Sequence, residues 1–225
     1  GNEYSFSWAP DSKRVAFISD RDSFLMSEEK DLWTNDLYIV NLEDNSIQKV
    51  NEENTQNQYG TLSWSPDGNY LVFNMSTLSP FGPFVSNIYK LDLCTKELFR
   101  LTNPSDSVNY RPAWSPDGKL IMYFENRGDL TTLFVIKPDG TNKIALMNSD
   151  FGYFENAIWA PDANKILISV KNGNKYFIYT VNSNGSDLKN LSTIENQIDS
   201  KPYWSPDGKH IVFASRLSDE SNQLF

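Results

Sequence analysis

The five-residue sequence Trp-Ser-Pro-Asp-Gly constrains the fold of this chain more than any other feature. The chain contains three exact copies and two weaker ones, and the five copies begin at Trp8, Trp64, Trp114, Trp159 and Trp204. The intervals between successive tryptophans are 56, 50, 45 and 45 residues, so the 225 residues make five passes through one unit. A repeat of this period with strand-like segments is typical of a β-propeller. We therefore predict an all-β, single-domain propeller of four-stranded blades, with repeat units at approximately 1–52, 53–103, 104–149, 150–194 and 195–225.

The third unit shows how one repeat makes a blade. Tyr110–Trp114 is predicted as strand A, Leu120–Phe124 as strand B, Thr132–Ile136 as strand C and Lys143–Met147 as strand D. Strand B is almost entirely apolar, which is expected of a strand that is buried on both faces. In the other units we predict strand B at 14–19, 70–74, 165–170 and 210–215, and strand C at 37–40, 88–91 and 177–181.

The repeated residues themselves have a structural interpretation. Proline at the second position of the turn and glycine at the fourth favour a tight turn, in which the serine hydroxyl bonds back to the backbone. Ser12 and Ala163 replace this glycine in the weaker copies, so we predict looser hairpins there. The tryptophans are expected to pack between neighbouring blades. The structural residues of the repeat are thus the five tryptophans together with Asp67, Asp117 and Asp207.

Composition excludes several classes of protein. Twenty basic and twenty-nine acidic residues give a net charge of −9, which would repel a nucleic-acid backbone. No apolar run approaches the length of a membrane span. A lone cysteine, Cys94, excludes an internal disulfide and leaves the redox compartment open.

The residues around the repeated turn resemble those of the TolB-like propellers, whose WD-like repeats carry a WSPDG turn. The matching residues are Arg111-Pro112-Ala113-Trp114, Lys201-Pro202-Tyr203-Trp204, Phe17-Ile18-Ser19-Asp20-Arg21 and Ile88-Tyr89. The resemblance covers essentially the whole chain. It implies a non-enzymatic scaffold that binds either a protein partner of the cell envelope or a ligand. The implied location is periplasmic or extracellular, with the cytoplasm as an alternative. Similar repeats form the substrate-gating propeller of prolyl-oligopeptidase-type serine peptidases, which is the alternative.

Residues suited to catalysis or metal binding are few. The chain has no Gly-x-Ser-x-Gly motif, and its only histidine, His210, is interpreted as a partly exposed strand residue. The carboxylate pairs Asp20 with Asp22 and Asp219 with Glu220 lack the spacing of a calcium loop, and we interpret them as solvated acidic loops. We expect no catalytic residue, no cofactor and no metal in this chain.

The repeat is broken by insertions between strands B and C of the first two units, at 20–35 and 75–87. These loops lie at the same end of a blade as the segment that holds Phe151, Tyr153 and Phe154. Their apolar side chains form either a local core or a binding rim. Arg111 and Lys201 either extend that rim or keep the mouth of the central propeller channel hydrated. The candidate binding residues are Phe24, Leu25, Met26, Trp33, Leu78, Phe81, Phe84, Arg111, Phe151, Tyr153 and Lys201.

The last residues, 223–225, align with 132–134, so the sequence stops within strand C of the fifth unit. We expect either a piece of a longer propeller or a ring whose last blade is short. An unclosed ring would have an exposed edge strand, which favours self-association.

The turn glycines lead to a first prediction. Replacing Gly118 by alanine is expected to cost up to about 1 kcal/mol more in unfolding free energy than replacing Ala163 by serine, because glycine alone adopts a left-handed backbone without strain. Thermal denaturation of the two variants measures the difference. Equal shifts in Tm would contradict it.

Overall fold

The computed structural model describes residues 2–22, 35–50, 57–77, 85–103, 107–192, 198–216 and 222–224. The described residues contain nineteen β-strands and one 3₁₀ turn, Ser149–Phe151. In chain order the strands are β1 Glu3–Trp8, β2 Arg14–Ser19, β3 Asp36–Asn41, β4 Ile47–Lys49, β5 Asn57–Trp64, β6 Tyr70–Thr77, β7 Ser86–Asp92, β8 Leu98–Arg100, β9 Val108–Trp114, β10 Ile121–Arg127, β11 Leu130–Ile136, β12 Ile144–Asn148, β13 Tyr153–Trp159, β14 Lys165–Asn172, β15 Lys175–Asn182, β16 Lys189–Asn190, β17 Ile198–Trp204, β18 Ile211–Arg216 and β19 Asn222–Leu224.

The strands follow the predicted A-B-C-D order within the repeats. β1 to β4 form one four-stranded antiparallel sheet and β13 to β16 another, each with its strands in sequence order. β5 to β8 pair in the same way in the second repeat. β17 to β19 form a three-stranded sheet in the fifth repeat. The fold is therefore all-β and built from propeller-type repeats, as predicted.

The chain divides into two compact units. The first contains Gly1–Gly128 and Ile136–Lys143, and the second contains Asp129–Val135 and Ile144–Phe225. The boundary falls inside the third repeat, whose strands β9 and β10 belong to the first unit. The assignment of the whole chain to one domain stays a prediction.

Strand B of each well-described repeat forms the centre of its core. In β10 the five residues from Ile121 to Glu125 are all buried, and in β14 the five from Ile166 to Val170 are buried as well. Such strands are covered on both faces, as their continuous apolar sequence predicts. In the first unit, side chains of this kind from two neighbouring repeats join one cluster, which includes Ile18 and Phe73.

Two tryptophans of the first unit lie against the preceding repeat. Trp64 is 6% exposed, its indole Nε1 donates a hydrogen bond of 3.0 Å to the Ser7 carbonyl, and the Arg14 guanidinium lies 4.9 Å from its ring centroid. The Trp114 ring lies 6.4 Å from that of Tyr70. Trp64 and Trp114 therefore pack between neighbouring repeats, and the packing of Trp159 and Trp204 stays a prediction.

Trp8 departs from this pattern. It is 56% exposed, so the prediction that it is buried between blades was wrong. The physical reason is that burial of this ring needs a second repeat: Trp64 and Trp114 are covered by residues of the repeat before them.

The serine and aspartate of the turn form a small hydrogen-bonded unit. In the third repeat the Ser115 hydroxyl donates to Asp117 Oδ1 at 2.7 Å and accepts from the Leu120 backbone N–H at 2.9 Å, while Asp117 Oδ1 also accepts from the Lys119 N–H. Ser65 with Asp67 and Ser205 with Asp207 make the same bonds. The predicted return of the serine hydroxyl to the backbone is thus present in all three strong copies.

The predicted loosening of the weak turns is not present at Ala163. Its N–H donates to the Ala160 carbonyl at 2.9 Å, the same length as the bond from Gly118 to Ser115. Ala163 also adopts the left-handed backbone, with φ of 62° against 73° for Gly118. The turn at Ala163 therefore differs from the strong copies in its energy and in the missing serine hydroxyl. The backbone conformation of the turn and its closing hydrogen bond are the same.

The turn glycines also contact the preceding repeat. A Cβ atom added to these glycines would lie between 3.2 and 3.5 Å from a ring carbon of the proline one repeat earlier. The contacting pairs are Gly68 with Pro10, Gly118 with Pro66, and Gly208 with Pro161. Glycine is thus favoured at this position by the backbone conformation and, at Gly68 and Gly118, by the close approach of the proline ring.

The serine and aspartate unit predicts a pH effect in the variant Ser115→Ala. Burial alone would raise the pKa of Asp117, but hydrogen bonds from the Ser115 hydroxyl and the Lys119 N–H outweigh it, and the pKa is lowered. A lowered carboxyl pKa stabilises the fold above the unfolded value of about 4, and this stabilisation is lost as the pH falls through the folded value. Without the hydroxyl, we expect the Asp117 pKa to rise and the unfolding free energy at neutral pH to fall by about 1 kcal/mol.

NMR titration of the aspartate side chains and urea denaturation measure these two quantities. Asp162 is the internal control, because Ala160 stands where its turn would carry serine. An unchanged Asp117 titration would show that the hydroxyl does not hold the carboxylate.

Candidate functional site

The structure covers only part of the predicted binding rim. Seven of its residues lie outside the described residues, namely Phe24, Leu25, Met26, Trp33, Leu78, Phe81 and Phe84. Lys201 lies in β17, and its side chain is also outside the described part. Of the remaining candidates, Arg111 lies in the first unit and Phe151 and Tyr153 lie in the second, and each is described within its own unit.

Arg111 lies at a bulge in strand A. Met122 of β10 faces Ala113, but Phe124 faces Tyr110, so one extra residue is inserted in β9 around Arg111. Arg111 is exposed and has a φ of 51°. Register shifts occur at similar places in all five A strands, within Glu3–Ser5, Tyr59–Leu62, Tyr110–Ala113, Phe154–Asn156 and Ser200–Tyr203. Bulges re-aim side chains, so Arg111 owes its outward position to a feature of the repeat.

Phe151 and Tyr153 lie together where the third repeat passes into the fourth. The 3₁₀ turn places the Phe151 ring edge-on to that of Tyr179, with centroids 5.7 Å apart. Asn172 Nδ2 donates to the Phe151 carbonyl at 3.4 Å. Phe151 is 40% exposed and Tyr153 is 65% exposed. Phe154, which the sequence pattern grouped with them, is buried at 3% and belongs to the core.

Gly152 makes this arrangement possible. Its φ is 127°, and an added Cβ atom would lie 2.5 Å from the Lys171 carbonyl oxygen and 2.9 Å from Val170 Cγ1. Only glycine fits such a close approach of two backbones. The passage from the 3₁₀ turn into β13 therefore depends on this residue.

Tyr153 begins a row of three side chains across the sheet. It pairs with Lys171 of β14, and Lys171 pairs with Tyr176 of β15. The Lys171 ammonium lies 5.4 Å from the centroid of the Tyr176 ring. Cross-strand neighbours of this kind interact, and a cation near an aromatic face is attracted to it. We call Tyr153, Lys171 and Tyr176 the Tyr–Lys–Tyr row.

Lys171 differs in its pairing from other lysines of the same unit. Lys165 and Lys189 both form ion pairs with Asp187, at 3.7 and 3.0 Å. Within the described part of the chain, Lys171 and the adjacent Lys175 form no ion pair. On a chain with a net charge of −9, this hairpin is a local basic and aromatic surface.

The hairpin turn sets the register of the row. Asn172 pairs with Lys175, which leaves a two-residue loop whose first residue, Gly173, has a φ of 61°. A glycine at this position is typical of a two-residue hairpin. Lys171 and Tyr176 were not among the predicted site residues, although the Asn-Gly-Asn sequence between two strand patterns was the signal that would have aligned them.

The acidic residues considered as metal ligands are engaged elsewhere. Asp20 accepts hydrogen bonds from the backbone and side chain of Asn2 and from the Tyr4 hydroxyl, and these donors lower its pKa. Asp22 accepts a hydrogen bond from the Tyr38 hydroxyl. The pair Asp219 and Glu220 lies outside the described residues.

The described ranges offer neither a metal cluster nor a histidine placed for catalysis. No group of three or more His, Cys, Asp or Glu side chains there is arranged to hold a metal ion. His210 is exposed, and its backbone N–H donates to the Ser205 hydroxyl at 2.9 Å. Across the same ranges, no helix has the length and apolar character to cross a membrane.

Comparison with known proteins agrees with the repeat pattern. The family model described as the TolB beta propeller domain matches residues 1–160. The Tol-Pal system protein TolB of Francisella tularensis subsp. mediasiatica is 33% identical over 84 residues, which are 36% of this chain and 18% of that protein. The chain thus spans well under two thirds of that curated relative.

Two solved structures share the fold. The putative TolB of Agrobacterium tumefaciens is 25% identical, with a TM-score of 0.67 over 97% of this chain and 71% of that one. A prolyl endopeptidase structure is 15% identical, with a TM-score of 0.71 over 99% of this chain and 33% of that one. The second likeness concerns the fold alone.

Gly152 provides a prediction for the candidate site. Gly152→Ala is expected to lower the unfolding free energy by about 2–3 kcal/mol, because it adds a steric overlap to an unfavourable φ. Gly173→Ala is the matched control, since Gly173 also has a positive φ but would bring its Cβ within 4 Å of no other atom, and about 1 kcal/mol is expected. Urea denaturation measures both. Equal losses would mean that the contact with Lys171 relaxes freely.

Proposed function

Because the chain belongs to the TolB beta propeller domain family, we propose that it is a non-enzymatic protein-interaction scaffold of the cell envelope, periplasmic or extracellular, that binds its partner through the loop ends of its blades. In the described part of the chain the binding surface consists of the Tyr–Lys–Tyr row and Phe151. Arg111, Lys201 and the predicted apolar residues of the two long loops extend this proposal to the other repeats.

The observation that carries the proposal is the exposed ring of Tyr153 beside the half-buried Lys171 and Tyr176. Tyr153 presents a large aromatic surface, and Lys171 beside it has no ion-pair partner among the described residues. Aromatic side chains are enriched at interfaces because they bury a large area and lose little conformational entropy. An unpaired ammonium adds selectivity for a partner with a carboxylate at this position. Both groups lie on strands, which hold them in place before the partner arrives.

The gating propeller of a serine peptidase is the second candidate. The observation that favours it is the likeness in fold to a prolyl endopeptidase. A hydrolase domain of about 200 residues or more would have to accompany the propeller in the full protein. Cleavage of a proline-containing peptide by the full-length protein would support this candidate and contradict the scaffold.

The scaffold proposal predicts that Tyr153→Ala and Lys171→Ala weaken binding of the partner. The partner is first captured from the cell envelope of the source organism with wild-type protein and is then purified. Isothermal titration calorimetry is expected to show Kd raised about tenfold by each variant, because each removes about 1–2 kcal/mol of contact energy.

Lys189→Ala is the matched control for Lys171→Ala. Lys189 is likewise a strand lysine of the fourth repeat, but it is exposed and paired with Asp187. Its Kd is expected to equal that of the wild type. Thermal denaturation verifies that all three variants are folded. Unchanged affinity of both row variants would remove the row from the proposed interface.

A further inference from the structure

The hairpin between β14 and β15 contains an asparagine followed by glycine, Asn172-Gly173. The chain has one other pair of this kind, Asn184-Gly185, in the turn that follows β15. Both asparagines are exposed, and both pairs lie in the second unit. Asparagine before glycine is chemically reactive, because glycine has no side chain to shield its backbone nitrogen from the asparagine amide. The two pairs therefore show how the same fold treats the same chemistry at two places.

The reaction in question is loss of the side-chain amide, which needs water and no oxidant or reductant. The backbone nitrogen of the glycine loses its proton and attacks the asparagine Cγ atom. A bond forms between this nitrogen and Cγ, the bond from Cγ to Nδ2 breaks, and Nδ2 takes up the proton and leaves as ammonia. Water then opens the five-membered succinimide ring at one of its two carbonyl carbons, which leaves aspartate or isoaspartate. The attack requires a glycine N–H and an asparagine side chain that are not held elsewhere.

The fold holds both reacting groups of the second pair. The Gly185 N–H donates to the Asn182 carbonyl at 2.9 Å. Asn184 Oδ1 accepts from the Ser186 N–H at 3.0 Å and from the Ser186 hydroxyl at 2.7 Å. These hydrogen bonds must be given up before the nitrogen can approach Cγ, and each adds to the barrier. Asn184 is therefore exposed to water but protected from its own backbone.

The first pair lacks this protection. Gly173 lies in the two-residue loop, outside the paired residues of β14 and β15, and its N–H donates no hydrogen bond within the described part of the chain. The Asn172 side chain is held by Nδ2, whose bond to the Phe151 carbonyl is 3.4 Å and therefore long. A Cβ atom added to Gly173 would meet no atom within 4 Å, so the space around the reacting nitrogen is open.

We propose that Asn172 is a site of spontaneous deamidation in the folded protein and that Asn184 is protected from it. The new carboxylate lies opposite Lys175, the register partner of Asn172, and lowers the positive charge of the hairpin by one. In the isoaspartate product, one more carbon atom enters the main chain between Lys171 and Tyr176. The reaction thus changes the charge and the spacing next to the Tyr–Lys–Tyr row. The proposal does not depend on the partner-binding function.

Peptide mapping by mass spectrometry tests the site. The full chain is incubated at neutral pH below its melting temperature, and the peptides that contain Asn172 and Asn184 are followed in time. Asn172 is expected to react at least about tenfold faster than Asn184, because the second site must first lose its hydrogen bonds. In urea both pairs are unfolded, and comparable rates are expected. Labelling by protein isoaspartate methyltransferase identifies the isoaspartate product.

Two variants complete the test. Asn172→Gln is the matched control, because its longer side chain would have to close a six-membered ring; it should stay unmodified at this position while Asn184 reacts as in the wild type. Asn172→Asp marks where the aspartate product elutes in anion-exchange chromatography, and circular dichroism verifies both folds. Equal rates at the two sites of the folded chain would overturn the proposal. So would an Asn172 that reacts in urea but stays intact in the folded protein.

Discussion

The structure depends on the contact between a repeated turn and the turn before it, which is present at Gly68, Gly118 and Gly208. Gly118 lies against Pro66, and the neighbouring Trp114 lies against Tyr70 in the same preceding repeat. A side chain at the glycine would meet the proline ring at 3.2 Å, so the sequence of one repeat limits the sequence of the next. Each repeated position of the turn is accounted for by hydrogen bonding, backbone conformation or this packing. The motif is therefore an element of repeat association.

Sequence reasoning succeeded where the chemistry is local to one repeat. Apolar strands such as β10 and the hydroxyl of Ser115 have roles that follow from their own neighbours in sequence. It was wrong for Trp8, because burial of that ring requires another repeat, and the motif is the same whether the neighbour is present or not. Lys171 was missed for a related reason: it became a candidate binding residue only because of the tyrosines that lie opposite it on β13 and β15.

The weak turns show a second limit of sequence reasoning. Replacement of glycine at Ala163 was expected to loosen its hairpin, yet the turn closes with a hydrogen bond of the same length. Flanking strands β13 and β14 pair along most of their length and impose the turn geometry. The strain of an alanine in the left-handed conformation then lowers the unfolding free energy without lengthening this hydrogen bond. Local propensity thus predicts the energy of such a site better than its shape.

Trp8 and Tyr153 are both exposed aromatic residues, but they differ in their relation to the repeat. Trp8 occupies a position that also carries tryptophan in the other repeats, and the rings of Trp64 and Trp114 at this position are buried. Tyr153 and Lys171 occupy positions that carry no repeated residue type. The packing of the repeat explains the first kind of residue and not the second. This difference is the reason for placing the proposed interface on the Tyr–Lys–Tyr row and not on the repeated turn.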